Sequence, residues 1–174
     1  MTRYHPALIA LHWLLALMIL GALIGGAFSL DPIPDDSPDK VGVLRLHMSF
    51  GLAILALMLV RLVLRLRTAH PEPADIGNEA LNQLAPWLHW TFYALVFGLA
   101  ASGIAMSVEA GLGDIVFGGA PGPVPDLDAL RPRTGHGLFA LALALLIAGH
   151  VAAALYHQFV RRDGLMARMA LRRR

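Results

Sequence analysis

The sequence predicts an all-α integral membrane protein, a four-helix bundle with four transmembrane helices, and three observations predict it. Of 174 residues, 57% are hydrophobic. A mean hydropathy of +0.62 is too high for an ordinary water-soluble domain, and a chain of this length makes one compact unit, 1–174. The apolar residues collect in four stretches, about 7–30, 44–66, 84–108 and 134–160, each long enough to cross a bilayer, for which ~20 residues suffice.

The first stretch opens Leu11-His12-Trp13, where Trp13 suits an interfacial anchor. It is about twice as long as the apolar run of a signal peptide. It also carries His12 and lacks a clear small-residue cleavage site before Asp31, so it reads as a span. Gly21, Gly25 and Gly26 allow a neighbouring helix or a flat ligand to approach. Asp31 to Lys40, with three prolines and four aspartates, is a solvated loop. The second stretch starts Arg45-Leu46-His47 and ends with Arg61, Arg65 and Arg67.

A polar connection with Pro71, Glu72, Pro73, Asp75 and Glu79 leads to the third stretch, which opens Leu88-His89-Trp90. That repeats Leu11-His12-Trp13, with a glycine nine residues after each histidine, Gly21 and Gly98. His47 precedes Arg61 by fourteen residues, as His136 precedes His150. The pattern is a weak internal symmetry, suggestive of a doubled two-helix unit. The connection Glu109 to Pro132 is rich in Gly and Pro. Its length is uncommon unless it covers a site, and Asp114 to Phe117 reads as a short helix over one end of the bundle. After the fourth stretch, Leu165, Met166, Met169 and Leu171 alternate with arginines, which fits an interfacial amphipathic helix or a solvated tail.

Charge orients the bundle. Arg3, Arg61, Arg65, Arg67, Arg161, Arg162, Arg168 and Arg172 to Arg174 supply ten of the fourteen basic residues. The other two connections hold Lys40, Arg45, Arg131 and Arg133 beside eight acids. The positive-inside rule puts both termini of a multi-pass protein in the cytoplasm. The pI of about 9.5 then reflects a basic rim against anionic lipid headgroups, and nothing points to nucleic acid. The absence of cysteine excludes disulfides, thiolate metal sites, iron–sulfur clusters and C-x-x-C-H haem attachment.

Eight histidines are the compositional surprise, because ionisable groups inside a span are costly and usually functional. Fourteen residues separate His136 from His150, so on a helix they lie ~40° apart in azimuth and ~21 Å apart in height. His157 continues the stripe ~10.5 Å beyond His150. His47 and His136 fall at the outer level; His12, His89, His150 and His157 fall toward the inner one. His5 and His70 lie outside the spans and read as solvated. Haem iron in an electron carrier takes two strong axial ligands, which a bundle core supplies from facing helices. The outer level offers one pair, His47 with His136, while His150 can pair with His12, with His89 or with neither. Gly135, Gly137, Gly149, Ala148 and Gly51 lie near these histidines and leave room for a porphyrin, or serve ordinary small-residue packing. A zinc site does not suit a stripe spread over ~21 Å. The histidine pattern therefore favours two haems over a proton path or structural hydrogen bonds.

The chain resembles the bacterial cytochrome b561 family, which is shared with cytochrome b subunits of some hydrogenases. Leu11-His12-Trp13, Arg45-Leu46-His47, Val60 to Leu66, Gly135-His136-Gly137 and Gly149-His150 with His157 carry the resemblance. It implies two non-covalent haems b (iron protoporphyrin IX), the inner one on His12 and His150 and the outer one on His47 and His136. It also implies ubiquinone as substrate at His157, and in some members superoxide as electron donor. His157 at headgroup depth is placed to donate a hydrogen bond to a quinone carbonyl or to supply a proton. Arg61, about one turn inside the membrane, is costly unless paired, so it is a candidate propionate partner; snorkelling is the alternative. Arg65 and His89 are candidates for the quinone site. Lys40, Arg45, Arg131 and Arg133 all lie within seven residues of His47 or His136 and are candidates for a local positive funnel for superoxide, although the outer loops are net acidic.

Three functions compete: a superoxide:ubiquinone oxidoreductase, an electron-transfer subunit for a dehydrogenase or periplasmic redox partner, and a haem-free proton or metal transporter. A reduced-minus-oxidised visible spectrum separates the last from the others.

Overall fold

The computed structural model describes residues 3–72, 79–119 and 123–171. Parts of the polar second connection (with Pro73 and Asp75), of the third connection, and Arg172 to Arg174 lie outside the described residues. Helix α1 spans Pro6–Gly25 and runs on as a π-helical turn to Leu30; α2 spans Pro38–Arg67 and α3 Glu79–Glu109. The short α4 spans Leu112–Val116. Helix α5 spans Arg131–Leu155 and continues as a π-helical segment to Arg161, before a 3-10 turn, Leu165–Met169. The four long helices, with their continuations, are each long and apolar enough to cross a membrane. No strand occurs among the described residues.

Local chemistry sets the helix ends. Pro6, Pro38 and Pro132 sit in the first turns of α1, α2 and α5, where a missing N–H costs nothing. The Ser37 hydroxyl accepts from the Asp39 amide and caps α2. His5 Nδ1 accepts from the Ala7 amide and caps α1, so this histidine has a structural task at the helix start. Arg65 and Arg67 end α2, opposite the partial negative charge of the helix terminus.

The helices form two close hairpins, α1 with α2 and α3 with α5, joined by α2 against α3. Between α3 and α5 the backbones come near enough that a Cβ on Gly98 would lie 3.0 Å from the Phe139 ring. Leu15, Ile54, Met58, Tyr93, Val96 and Leu143 form the mid-depth core. A second cluster, Leu44, Met106, Leu112, Val116, Val124 and Leu127, packs under the long third connection. Val116 is fully buried there, so the short helix expected near Asp114 plugs the end of the bundle. Most large apolar side chains face outward, with Leu17 71% and Leu145 65% exposed. In water such a girdle forfeits ~25 cal/mol per Å² of exposed apolar area; in hydrocarbon it forfeits nothing.

Past α5 the tail departs from the amphipathic α-helix that its alternation suggests. Arg162 turns with φ 53° and Gly164 with φ 74°, and only a five-residue 3-10 turn follows. The Tyr4 amide donates to the Arg168 carbonyl, and the Arg3 guanidinium donates to the Ala170 carbonyl. Residues 3–4 and 168–170 therefore meet at one end of the bundle, the terminal end, and the described part of the third connection covers the other, the loop end.

Candidate functional site

At the loop end, His47 of α2 faces His136 of α5 with ring centroids 6.3 Å apart and planes at 69°. Two imidazoles on opposite sides of one metal ion, each bonded at ~2.0 Å, have centroids ~6 Å apart. The Ser102 hydroxyl donates to the Leu99 carbonyl at 2.9 Å and has a single proton to give. It therefore accepts, at 3.0 Å, from His136 Nδ1–H. That fixes the tautomer and leaves the lone pair of His136 on Nε2, the form a metal ligand needs. Among the described residues His47 Nδ1 is buried without a hydrogen-bond partner, a costly state for a ring nitrogen. Glycines from neighbouring helices touch both rings. A Cβ on Gly26 would lie 3.3 Å from the His47 ring, and one on Gly103 3.3 Å from that of His136.

At the terminal end three imidazoles gather. His12 of α1 lies 6.3 Å from His150 of α5, and His89 of α3 lies 6.4 Å from it on another side. Phe92 packs edge-on to His150 at 5.4 Å. His89 Nδ1 donates to the Ala85 carbonyl at 2.7 Å, leaving its Nε2 free. Arg61 Nη1 donates to the Leu8 carbonyl at 2.6 Å, one turn before His12, and no carboxylate pairs with it among the described residues. The Arg65 guanidinium sits 5.5 Å over the Trp90 ring. Trp13 Nε1 donates to the Met169 carbonyl, tying the tail across α1.

The whole described chain matches a known family profile. The prokaryotic cytochrome b561 profile covers residues 3–171. The chain belongs to the prokaryotic cytochrome b561 family. Among its relatives is a protein named probable superoxide oxidase from Yersinia pestis, 30% identical over 99% of this chain and 98% of that one. A cytochrome b562 of Cereibacter sphaeroides is 32% identical over 95% and 94% of the two chains. Cytochrome b561 homolog 2 of Escherichia coli is 26% identical over 96% and 90%.

Membership of the cytochrome b561 family implies electron transfer through b-type haem, and the residues present fit that group. Paired imidazoles at a separation that one metal ion could bridge, with a His136 tautomer that leaves Nε2 unprotonated, would suit two ligands offered by facing helices.

Other expected site residues of this cytochrome b561-family chain are engaged in the fold. Lys40 is only 4% exposed; it pairs with Asp35 at 3.0 Å and donates to the carbonyls of Leu30 and Ile33. Arg45 Nε donates to the Val116 carbonyl at 2.7 Å. Arg133 pairs with Asp31 and Asp128. Arg131 is exposed at the first residue of α5. His157 Nδ1 lies 2.6 Å from Asp163 Oδ2. Sequence reasoning missed Ser102, Gly103 and Asp163. For Asp163, the Arg162-Asp163-Gly164 stretch just past the apolar run is the available signal, since it marks a chain reversal that can return an acid toward His157.

Proposed function

We propose that this protein holds two haems b, one on His47 and His136 and one on His12 and His150, and passes electrons across the bacterial inner membrane to ubiquinone. The observation that carries this reading is the pair of imidazole couples, each with centroids 6.3 Å apart, at the two ends of one helix. Held by His47 with His136 and by His12 with His150, haem would supply reversible one-electron chemistry.

The chain's own residues do the rest. His12 is favoured over His89 as the partner of His150 because α3 and α5 are packed backbone to backbone, whereas α1 is not closely packed on α5. A flat macrocycle would have to wedge the first pair apart, and the second pair puts no such close seam in its way. Arg61, a cation with no carboxylate partner among the described residues, suits a haem propionate. The apolar core at Leu15, Ile54 and Leu143 excludes water between the two levels. The termini, on the positive-inside rule, are cytoplasmic, which puts His157, Arg65 and His89 on the quinone side.

The donor we favour is superoxide, which would make the chain a superoxide:ubiquinone oxidoreductase; its Yersinia pestis relative is named probable superoxide oxidase. Lys40 and Arg133 are neutralised by carboxylates, so Arg45 and Arg131 carry what remains of a positive funnel. That reduction favours the second reading, an electron-transfer subunit fed by a separate dehydrogenase or periplasmic protein. Stopped-flow mixing of oxidised protein with superoxide in the presence of a short-chain ubiquinone tests the two. Rapid haem reduction followed by reoxidation supports the enzyme. Haems that stay oxidised with superoxide yet are reduced by a protein partner sink it.

A further inference from the structure

Just past α5, three side chains gather around His157. Arg162 adopts the left-handed conformation, φ 53°, which a residue with a Cβ takes only under local constraint. Its amide closes the π-helical segment on the His157 carbonyl at 2.8 Å. The resulting reversal returns Asp163 onto His157: Nδ1 and Oδ2 are 2.6 Å apart, with 11% and 28% of the two side chains exposed. Asp163 Oδ1 accepts from the Leu165 amide at 3.1 Å, and Arg161 Nε lies 3.5 Å from Oδ2. The Tyr156 ring stands edge-on to the imidazole at 5.9 Å.

The hydrogen bond from His157 is the leading reason that the Asp163 carboxyl sits below its ordinary value of 3.8. An ionised carboxylate only accepts, so His157 Nδ1 bears a proton and Nε2 is the nitrogen left to meet a ligand. A π-helical segment at the end of a span often marks a functional position.

We infer that Asp163 is a positioning residue for quinone reduction, holding His157 with Nε2 presented to a quinone carbonyl and balancing the charge of the ring when it carries a proton there. The inference rests on the quinone reading above. Ubiquinone takes two electrons from the reduced protein and two protons to become ubiquinol. One proton leaves His157 Nε2 for a carbonyl oxygen, and the ring is reprotonated from water at the membrane surface. The other carbonyl takes its proton from that water directly.

The test uses the full-length holoprotein in lipid nanodiscs with ubiquinone-1. Nitrogen-15 NMR of labelled histidines should show a hydrogen-bonded Nδ1–H on His157 that D163A abolishes. In stopped-flow reoxidation of the reduced protein, D163A should lower the limiting rate by about tenfold, as loss of an orienting partner does elsewhere. The half-saturating quinone concentration and the haem spectrum should stay unchanged. D163N, which keeps an acceptor oxygen for Nδ1–H, should recover part of the rate. Equal rates for wild type, D163A and D163N overturn the role of Asp163 while leaving the quinone reading intact. A wild-type protein that ubiquinone-1 does not reoxidise at all overturns the quinone reading itself. If D163A fails to fold, D163N decides: a wild-type limiting rate together with a His157 that has lost its Nδ1–H bond overturns the inference.

Discussion

The two ends of this cytochrome use the same side chain under different constraints. At the loop end one imidazole pair is enclosed: Ser102 sets the His136 tautomer, glycines of two other helices abut the rings, and α4 with the third connection closes the cluster above. At the terminal end three imidazoles share a looser site, an arginine reaches in beside them, and a fourth histidine with its carboxylate stands at the rim. An enclosed pair suits a group that never leaves. A site with spare donors and a way out suits an exchange with a mobile molecule.

Substitutions that distinguish the ends sharpen this contrast. The largest effect is expected from His136→Ala, which should reduce the haem-to-protein ratio from two to one and spare the terminal haem; a preparation retaining both haems breaks the pairing. Next, His12→Ala should remove the terminal haem whereas His89→Ala should keep it. The reverse result, read by the same stoichiometry, would make His89 the ligand. Gly103→Val should force the His136 ring aside at an overpacking cost of about 1–3 kcal/mol, seen as a lower thermal midpoint with weakened loop-end haem. Ser102→Ala should retain haem at saturation but weaken the loop-end site by about 10–100-fold, measured by haem titration. The smallest effect concerns pH. Because the Asp163 carboxyl is shifted downward by its bond from His157, the contact is present at neutral pH and is lost only as the pH falls below the ordinary carboxylate value. Titration of the His157 nitrogen-15 signals between pH 5 and 8 (about the range of unperturbed histidine) should therefore show no loss of that bond.

What the sequence revealed follows from what repeats along one helix. The fourteen-residue step from His136 to His150 is intrahelical, and the structure puts each of these histidines opposite another one. The helix spans were equally legible, from apolar length alone. Contacts between helices were not. Gly135 and Gly149 adjoin the key histidines in sequence, yet a Cβ on either would meet nothing within 4 Å, because successive helical residues point ~100° apart. The glycines that touch the rings, Gly26 and Gly103, come from other helices. Lys40 read as a loop charge, but the proline-rich connection folds its own carbonyls and Asp35 around the ammonium. The tail pattern suggested an α-helix, and the left-handed Arg162 and Gly164 interrupt it.

The separation of the bundle into two hairpins has a consequence for biogenesis. Each hairpin buries its own seam, so each can enter the bilayer and settle as a unit during synthesis. What draws the halves into register is chiefly the contact of α2 with α3 and whatever bridges the facing imidazoles. Cofactor supply then becomes a checkpoint on assembly, and chains made in haem-starved cells should be left ajar and be removed by proteases sooner than loaded ones.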